Sequence, residues 1–246
     1  MTTAPSEIVR EFAPTGALRA AINLSNIVLV QKDPASGALR GITPELAQEL
    51  ARRLGLPVEF VVFASAGKVF EALPSGVWDI AFLAIEPVRA AEIAFTAPYV
   101  LIEGTYMVAR ESPLKKVADV DQAGVRIAVG KGSAYDLFLT RTLKHATLVR
   151  APTGDAAIEQ FLAEKLEAAA GVKQPLVAFA RTNAEVRVMD GRFQVIEQAM
   201  GLPKGRDRAA RYLRDFVEDV KASGFVADAL RRSNQPDATV APPATS

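Results

Sequence analysis

The chain has 246 residues, half of them apolar and 23% charged, which is enough to bury the cores of one large or two modest domains and too apolar for a disordered chain. Its 29 basic and 28 acidic residues are well mixed and leave a net charge of +1, so there is no electrostatic footprint for nucleic acid or a membrane surface. Zero cysteines exclude disulfides, thiolate metal sites and a cysteine nucleophile, and the single histidine, His145, excludes a multi-histidine metal centre.

Met1 to Phe12 carries Glu7, Arg10 and Glu11 and no apolar core, so it does not read as a secretory signal peptide; no later run approaches membrane-spanning length. Leu18 to Leu24 is predicted as a first strand, followed by an apolar segment, Ile27 to Val30, and a turn at Asp33 to Gly37. Thr43 is expected to cap a helix, with Pro44 at its first position and Glu45 at the positive end of its dipole. Leu46, Leu50 and Leu54 share one face of that helix and Gly55 ends it. A second strand, Pro57 to Phe63, and a short helix, Gly67 to Leu73, come next.

Asp79 to Ile85 is an apolar run without alternation, the pattern of a strand buried on both faces of a parallel sheet. Glu86-Pro87 stops it, because proline has no amide hydrogen for the ladder, and Arg89 follows just past the strand's carboxyl end. Ligands bind at that end in open α/β sheets. Taken alone, such an arginine is more often a solvated loop residue paired with a neighbour such as Glu86 or Glu92.

Tyr99 to Ile102 and Thr105 to Ala109 read as extended, and Glu111-Ser-Pro113 breaks the pattern near an expected crossing into a second domain. That domain is predicted to hold a short helix around Val117, a strand Val125 to Val129, the loop Gly130-Lys-Gly-Ser133 and a helix to about Lys144. A helix starting at Thr153 or Asp155, a strand Ala168 to Ala170, a helix Pro175 to Arg181 and an extended Glu185 to Val188 complete it. Phe193 to Leu202 carries the chain back. Arg206 to Ser223 is an amphipathic helix with Ala209, Leu213, Phe216, Val217 and Val220 on one stripe, and a shorter helix runs to Arg232. Ser233 to Ser246, with three prolines and no apolar pattern, is expected to be a disordered tail.

Several motifs, in this order, carry a resemblance over Gly16 to Arg232: Gly16-Ala-Leu-Arg-Ala-Ala-Ile-Asn, the helix Gly41 to Gly55, the Pro-x-Arg corner at Arg89, Phe95-Thr-Ala-Pro-Tyr99, and Gly130-Lys-Gly-Ser-Ala-Tyr135. Together they resemble the solute-binding proteins of ABC importers for polar amino acids, bacterial extracellular solute-binding protein family 3. That resemblance implies a type II periplasmic-binding-protein fold, with two α/β domains, a ligand cleft between them and a hinge of two segments. It also implies that Arg89 clamps a ligand carboxylate, that the Gly132–Ser133 loop faces the same group, and that an ABC permease is the partner. The family's acidic anchor for an α-ammonium falls at Val172, followed by Lys173 and Gln174; Ala84 and Glu86 stand where hydroxyl donors are common. An early stacking aromatic falls near Asn26, so Asn23 and Asn26 are candidates for hydrogen bonds in its place.

Read from the residues alone, the Gly130 to Tyr135 loop places amides and the Ser133 hydroxyl at a helix N-terminus, which suits an anion, although an ordinary strand-to-helix turn looks the same. Trp78 reads as core or rim and His145 as a surface or cap residue. The expected organisation is α/β, with a discontinuous first domain, 1–106 and 203–246, and a second, 108–198. The expected function is reversible binding of a small carboxylate-bearing solute by a monomer, with no cofactor, metal or nucleic acid and no catalytic residue. Two alternatives stay open: a cytosolic sensor or scavenger of the same fold, which fits an unexported chain, and a dehydratase-like enzyme using Glu86, Glu103 or Lys173. Location is periplasmic by resemblance and cytoplasmic if Met1 is the natural start.

Overall fold

The computed structural model describes residues 5–245. The reading of Met1 as a natural start therefore lies outside the described residues. The described residues form two compact units, one running up to Leu101 and resuming at Glu197, the other spanning 102–196.

The first unit opens with α1 (Ser6–Phe12) and β1 (Leu18–Asn23), then a two-strand ribbon of β2 (Gln31–Lys32) and β3 (Leu39–Arg40). Next comes α2 (Ile42–Leu54), which buries Leu46, Leu50 and Leu54. Its N-cap is Gly41, so the expected cap at Thr43 is corrected: Thr43 lies inside the helix and is buried. Gly41 has φ 112°, and a Cβ there would meet the Leu29 carbonyl oxygen at 2.6 Å, so only glycine lets the chain turn this close to its neighbour. β4 (Val58–Phe63), α3 (Ala66–Glu71, capped by Ser65) and β5 (Ile80–Ala84) follow. β1 lies between β4 and β5 with both pairings parallel, and every residue of β5 is buried. Trp78 is core, its Nε1 donating to the Val69 carbonyl at 3.0 Å.

After the one-turn α4 (Pro87–Ala90), β6 (Ile93–Ala109) runs 17 residues and carries the chain into the second unit. There β7 (Arg126–Gly130), α5 (Ala134–Thr142), β8 (Thr147–Ala151), α6 (Gly154–Ala163, capped by Thr153), β9 (Ala168–Val172), α7 (Lys173–Thr182) and β10 (Val186–Val188) follow in turn. β7 is paired in parallel with β8 and β9; β9 and β10 run antiparallel to β6. The core gathers Met107, Ala128, Phe161, Ala169 and Leu176 between sheet and helices.

β11 (Gln194–Pro203) returns to the first unit and pairs antiparallel with β5. α8 (Asp207–Ala222) buries the stripe Ala209, Leu213, Phe216, Val217 and Val220, and α9 (Phe225–Arg232) follows Gly224. The unit divisions, after Leu101 and before Glu197, fall inside β6 and β11, as do 106–108 and 198–203; both strands run unbroken through them, so no turn marks the place. The expected disordered tail is a correction: β12 (Thr239–Val240) pairs antiparallel with Val100 and Leu101, and the Ala241 amide donates to the Tyr99 carbonyl at 3.1 Å. Lys221 reinforces it, its Nζ donating to the Pro98 and Pro242 carbonyls.

A buried charge network ties the first unit together. Asp79 is fully buried and accepts from Arg19 through two nitrogens, at 2.8 and 2.9 Å, and from Arg206 at 3.1 Å. Arg206 also donates to the Glu11 carbonyl, and the Glu11 carboxylate accepts from the Ala209 amide in the first turn of α8, at 2.9 Å. A buried carboxylate with that many donors keeps its charge satisfied.

Candidate functional site

In the first unit β1, β4 and β5 run parallel, so their carboxyl ends, Asn23, Phe63 and Ala84, share one end of the sheet. Proline at the first position of α4 turns the chain there, with Glu86 as N-cap in extended conformation. Arg89 comes one turn later and is fully buried, its Nη1 donating to the Ala84 carbonyl at 3.0 Å. Burial pulls its guanidinium down to about 10, and the nearby Glu86 charge opposes that shift, so the group stays cationic at neutral pH. Glu86 and Ala84 are themselves buried. Asn23 is engaged in an Asx turn, its Oδ1 accepting from the Ser25 amide and hydroxyl at 3.1 and 2.8 Å. Asn26, three residues on, has a buried Oδ1 without a hydrogen-bond partner among the described residues. Gln198, opposite Ala84 in register and buried, is a further polar group at this end that sequence reasoning missed; its one signal is an amide inside an apolar run.

The second unit has the same logic, with the carboxyl ends of β7, β8 and β9 at one end of its sheet. Gly130 closes β7, and a Cβ there would meet the Gly154 amide nitrogen at 2.9 Å and the Tyr135 hydroxyl at 3.1 Å. Ser133 caps α5 by accepting from the Asp136 amide at 3.1 Å. The Gly132 amide donates to Asp136 Oδ2 at 2.8 Å, and Arg150 Nε donates to Asp136 Oδ1 at 2.9 Å. The loop thus turns the Gly132 amide onto the chain's own carboxylate, where the sequence suggested an external anion. Ser133-x-x-Asp136 has the spacing of a capping box, but the carboxylate reaches the Gly132 amide, one residue before the cap, where a capping box would use the Ser133 amide.

Val172 is the N-cap of α7 and makes no side-chain cap bond. Its register partner in β6 is Gly104, which brings Glu103 beside Lys173: Nζ donates to Glu103 Oε2 at 3.0 Å. Arg192 pairs with the other oxygen of the same carboxylate, and hydrogen bonds from both cations hold Glu103 below the usual carboxylate range. A carboxyl held ionised in this way suits an ion-pair bridge rather than a proton donor. Next in sequence, Gln174 has a buried Oε1 without a hydrogen-bond partner among the described residues. His145 contributes its backbone amide to Asp121.

Asn23, Asn26, Ala84, Glu86 and Arg89 are therefore brought to one sheet end in the first unit, and Gly132, Ser133, Val172 and Lys173 to one sheet end in the second. Among the described residues no group of three or more His, Cys, Asp or Glu side chains could hold a metal ion, and no helix is long and apolar enough to cross a membrane.

Paired α/β units with polar groups gathered at the carboxyl ends of parallel strands define a small-molecule-binding class of protein. Residues 24–233 match the family model of bacterial extracellular solute-binding proteins, family 3, and the chain belongs to that family. An amino-acid-binding protein, AabA, of Dichelobacter nodosus is 21% identical over 235 residues, covering 93% of this chain and 92% of its own. The solute receptor for L-cysteine of Neisseria gonorrhoeae superposes with a TM-score of 0.80 at 23% identity, over 93% of this chain and 94% of that one. An amino acid ABC transporter substrate-binding protein of Streptococcus pneumoniae, bound to L-arginine, gives 0.77 at 20% identity, over 90% and 96%. The fold is that of the type II periplasmic binding proteins.

Proposed function

We propose that the chain is the substrate-binding component of an ABC importer, taking a small carboxylate-bearing solute between its two units, which close on it about the two crossing strands and deliver it to a permease. The observation that carries this reading is Arg89, a buried, charged guanidinium one turn beyond the carboxyl end of β5. Arginine's planar fork grips a carboxylate bidentately, and a buried cation gains most from an anionic partner.

Relatives named for amino acids favour a carboxylate ligand, since every amino acid carries one. This chain has Val172 and Lys173 at the start of α7, and the carboxylate beside them, Glu103, is bridged by Lys173 and Arg192. An ammonium brought beside Val172 would meet Lys173 and a carboxylate already held by two cations, so the reading favours carboxylates without an α-amine.

A thermal-shift screen of small acids tests it, followed by small-angle scattering with the best binder. Stabilisation by carboxylates together with a smaller radius of gyration is expected. No response to any carboxylate would reject the binding, and an unchanged radius at saturation would reject the closure.

A further inference from the structure

We propose that the cluster of Lys173, Gln174, Glu103 and Arg192 reads a second acidic group on the ligand, so that the preferred solute is a small dicarboxylate. This rests on the proposed binding of a carboxylate at Arg89 and goes on to name the ligand's other end.

The cluster lies wholly within the second unit. Two cations share one carboxylate, which leaves a surplus positive charge where β9 ends and α7 begins. Ion pairs of this kind are common on surfaces and by themselves mean little. Three features set this one apart. It sits at the carboxyl ends of parallel strands, the ligand-binding end of an open α/β sheet. Gln174, next to Lys173, adds a side-chain amide whose nitrogen is a donor to an acidic group at the same place. Asp136, the acid in the first turn of α5, is already occupied by the Gly132 amide and Arg150.

The geometry also says how the charge is presented. Lys173 is 42% and Arg192 52% exposed, so both heads are reachable, while Glu103 holds them against one carboxylate. An incoming carboxylate takes Lys173 from Glu103, which keeps Arg192, and the Gln174 amide nitrogen donates to the second oxygen. Val172, apolar, lies against the ligand's methylene chain. A ligand ammonium in this place would meet Lys173 and Arg192 instead.

The test is calorimetry on the intact chain with the series malonate, succinate, glutarate and adipate, each against its matched monocarboxylate. One dicarboxylate should bind about tenfold or more tighter than its monoacid, the worth of a hydrogen bond to a charged group. Lys173→Met should cost that dicarboxylate about 10- to 100-fold and the monoacid less than about threefold. Glu103→Gln frees Lys173 and should strengthen dicarboxylate binding severalfold. A role in folding alone would shift the melting temperature of both variants and leave the ratio of the two acids untouched. Equal affinity for dicarboxylate and monoacid, an unchanged ratio in Lys173→Met, or weaker dicarboxylate binding in Glu103→Gln overturns the inference while leaving an Arg89-dependent carboxylate site in place. If no acid of either series binds, the function proposed above falls and this inference falls with it.

Discussion

Arg89 is the residue on which ligand binding is proposed to turn. Its fork and its burial make lysine a poor replacement: Arg89→Lys keeps the charge but loses the second parallel hydrogen bond, so affinity for the best carboxylate should fall by at least about tenfold. Recovery of full affinity in Arg89→Lys would show that charge alone matters there. A second residue, Glu49, reports on stability. Hydrogen bonds from Arg52 and Arg53 hold its carboxyl down to about 2 from an ordinary 4.5. Because the folded value is the lower one, the stabilisation is fully present above about pH 4.5 and is lost as pH falls through about 2. The pair is partly solvated, so its worth is discounted to about 1 kcal/mol. Glu49→Gln should melt below the native chain at pH 7, and the gap should shrink as pH is lowered toward 3. A gap that does not change with pH would contradict this origin. At this scale the sequence is least informative: Glu103 and Lys173 meet across 70 positions, and nothing local pairs them.

Among the elements, those with a strong local pattern were legible. The all-apolar run of β5 and the stripe of α8 each imply burial from their own residues, and both are buried as expected. The second unit's β8 and the one-turn α4 were not legible, because β8 is half-exposed at a sheet edge and α4 is too short to show a period. β12 shows the limit most clearly. Its two residues sit among prolines with no pattern of their own, and only the unpaired edge of β6, more than a hundred residues away, makes a strand of them. That docking has a consequence opposite to the expectation for a disordered tail. Ala238 and Ala241 are buried and Lys221 is satisfied by two carbonyls, so truncation after Gln235 should cost about 1 to 2 kcal/mol. In a chain of this size that lowers the melting temperature by roughly 2 to 8 °C. An unchanged melting temperature would show that the tail contributes nothing.

For the whole molecule, alternation of strands and helices was enough to read an α/β chain, and motif order was enough to read its family; the place where one unit gives way to the other lies within continuous strands that carry no local mark. The ligand belongs to this scale too, since polar groups gather at one sheet end in each unit. Calorimetric titration of the native chain and of Arg89→Ala with the carboxylate that stabilises it best tests the account most directly. Loss of a buried charge partner should weaken binding by about 3 to 5 kcal/mol, roughly two to three and a half decades in affinity, with the variant's melting curve showing that it remains folded. Full affinity in folded Arg89→Ala, or tight binding of an ordinary amino acid with no measurable affinity for any carboxylate lacking the amine, would contradict it.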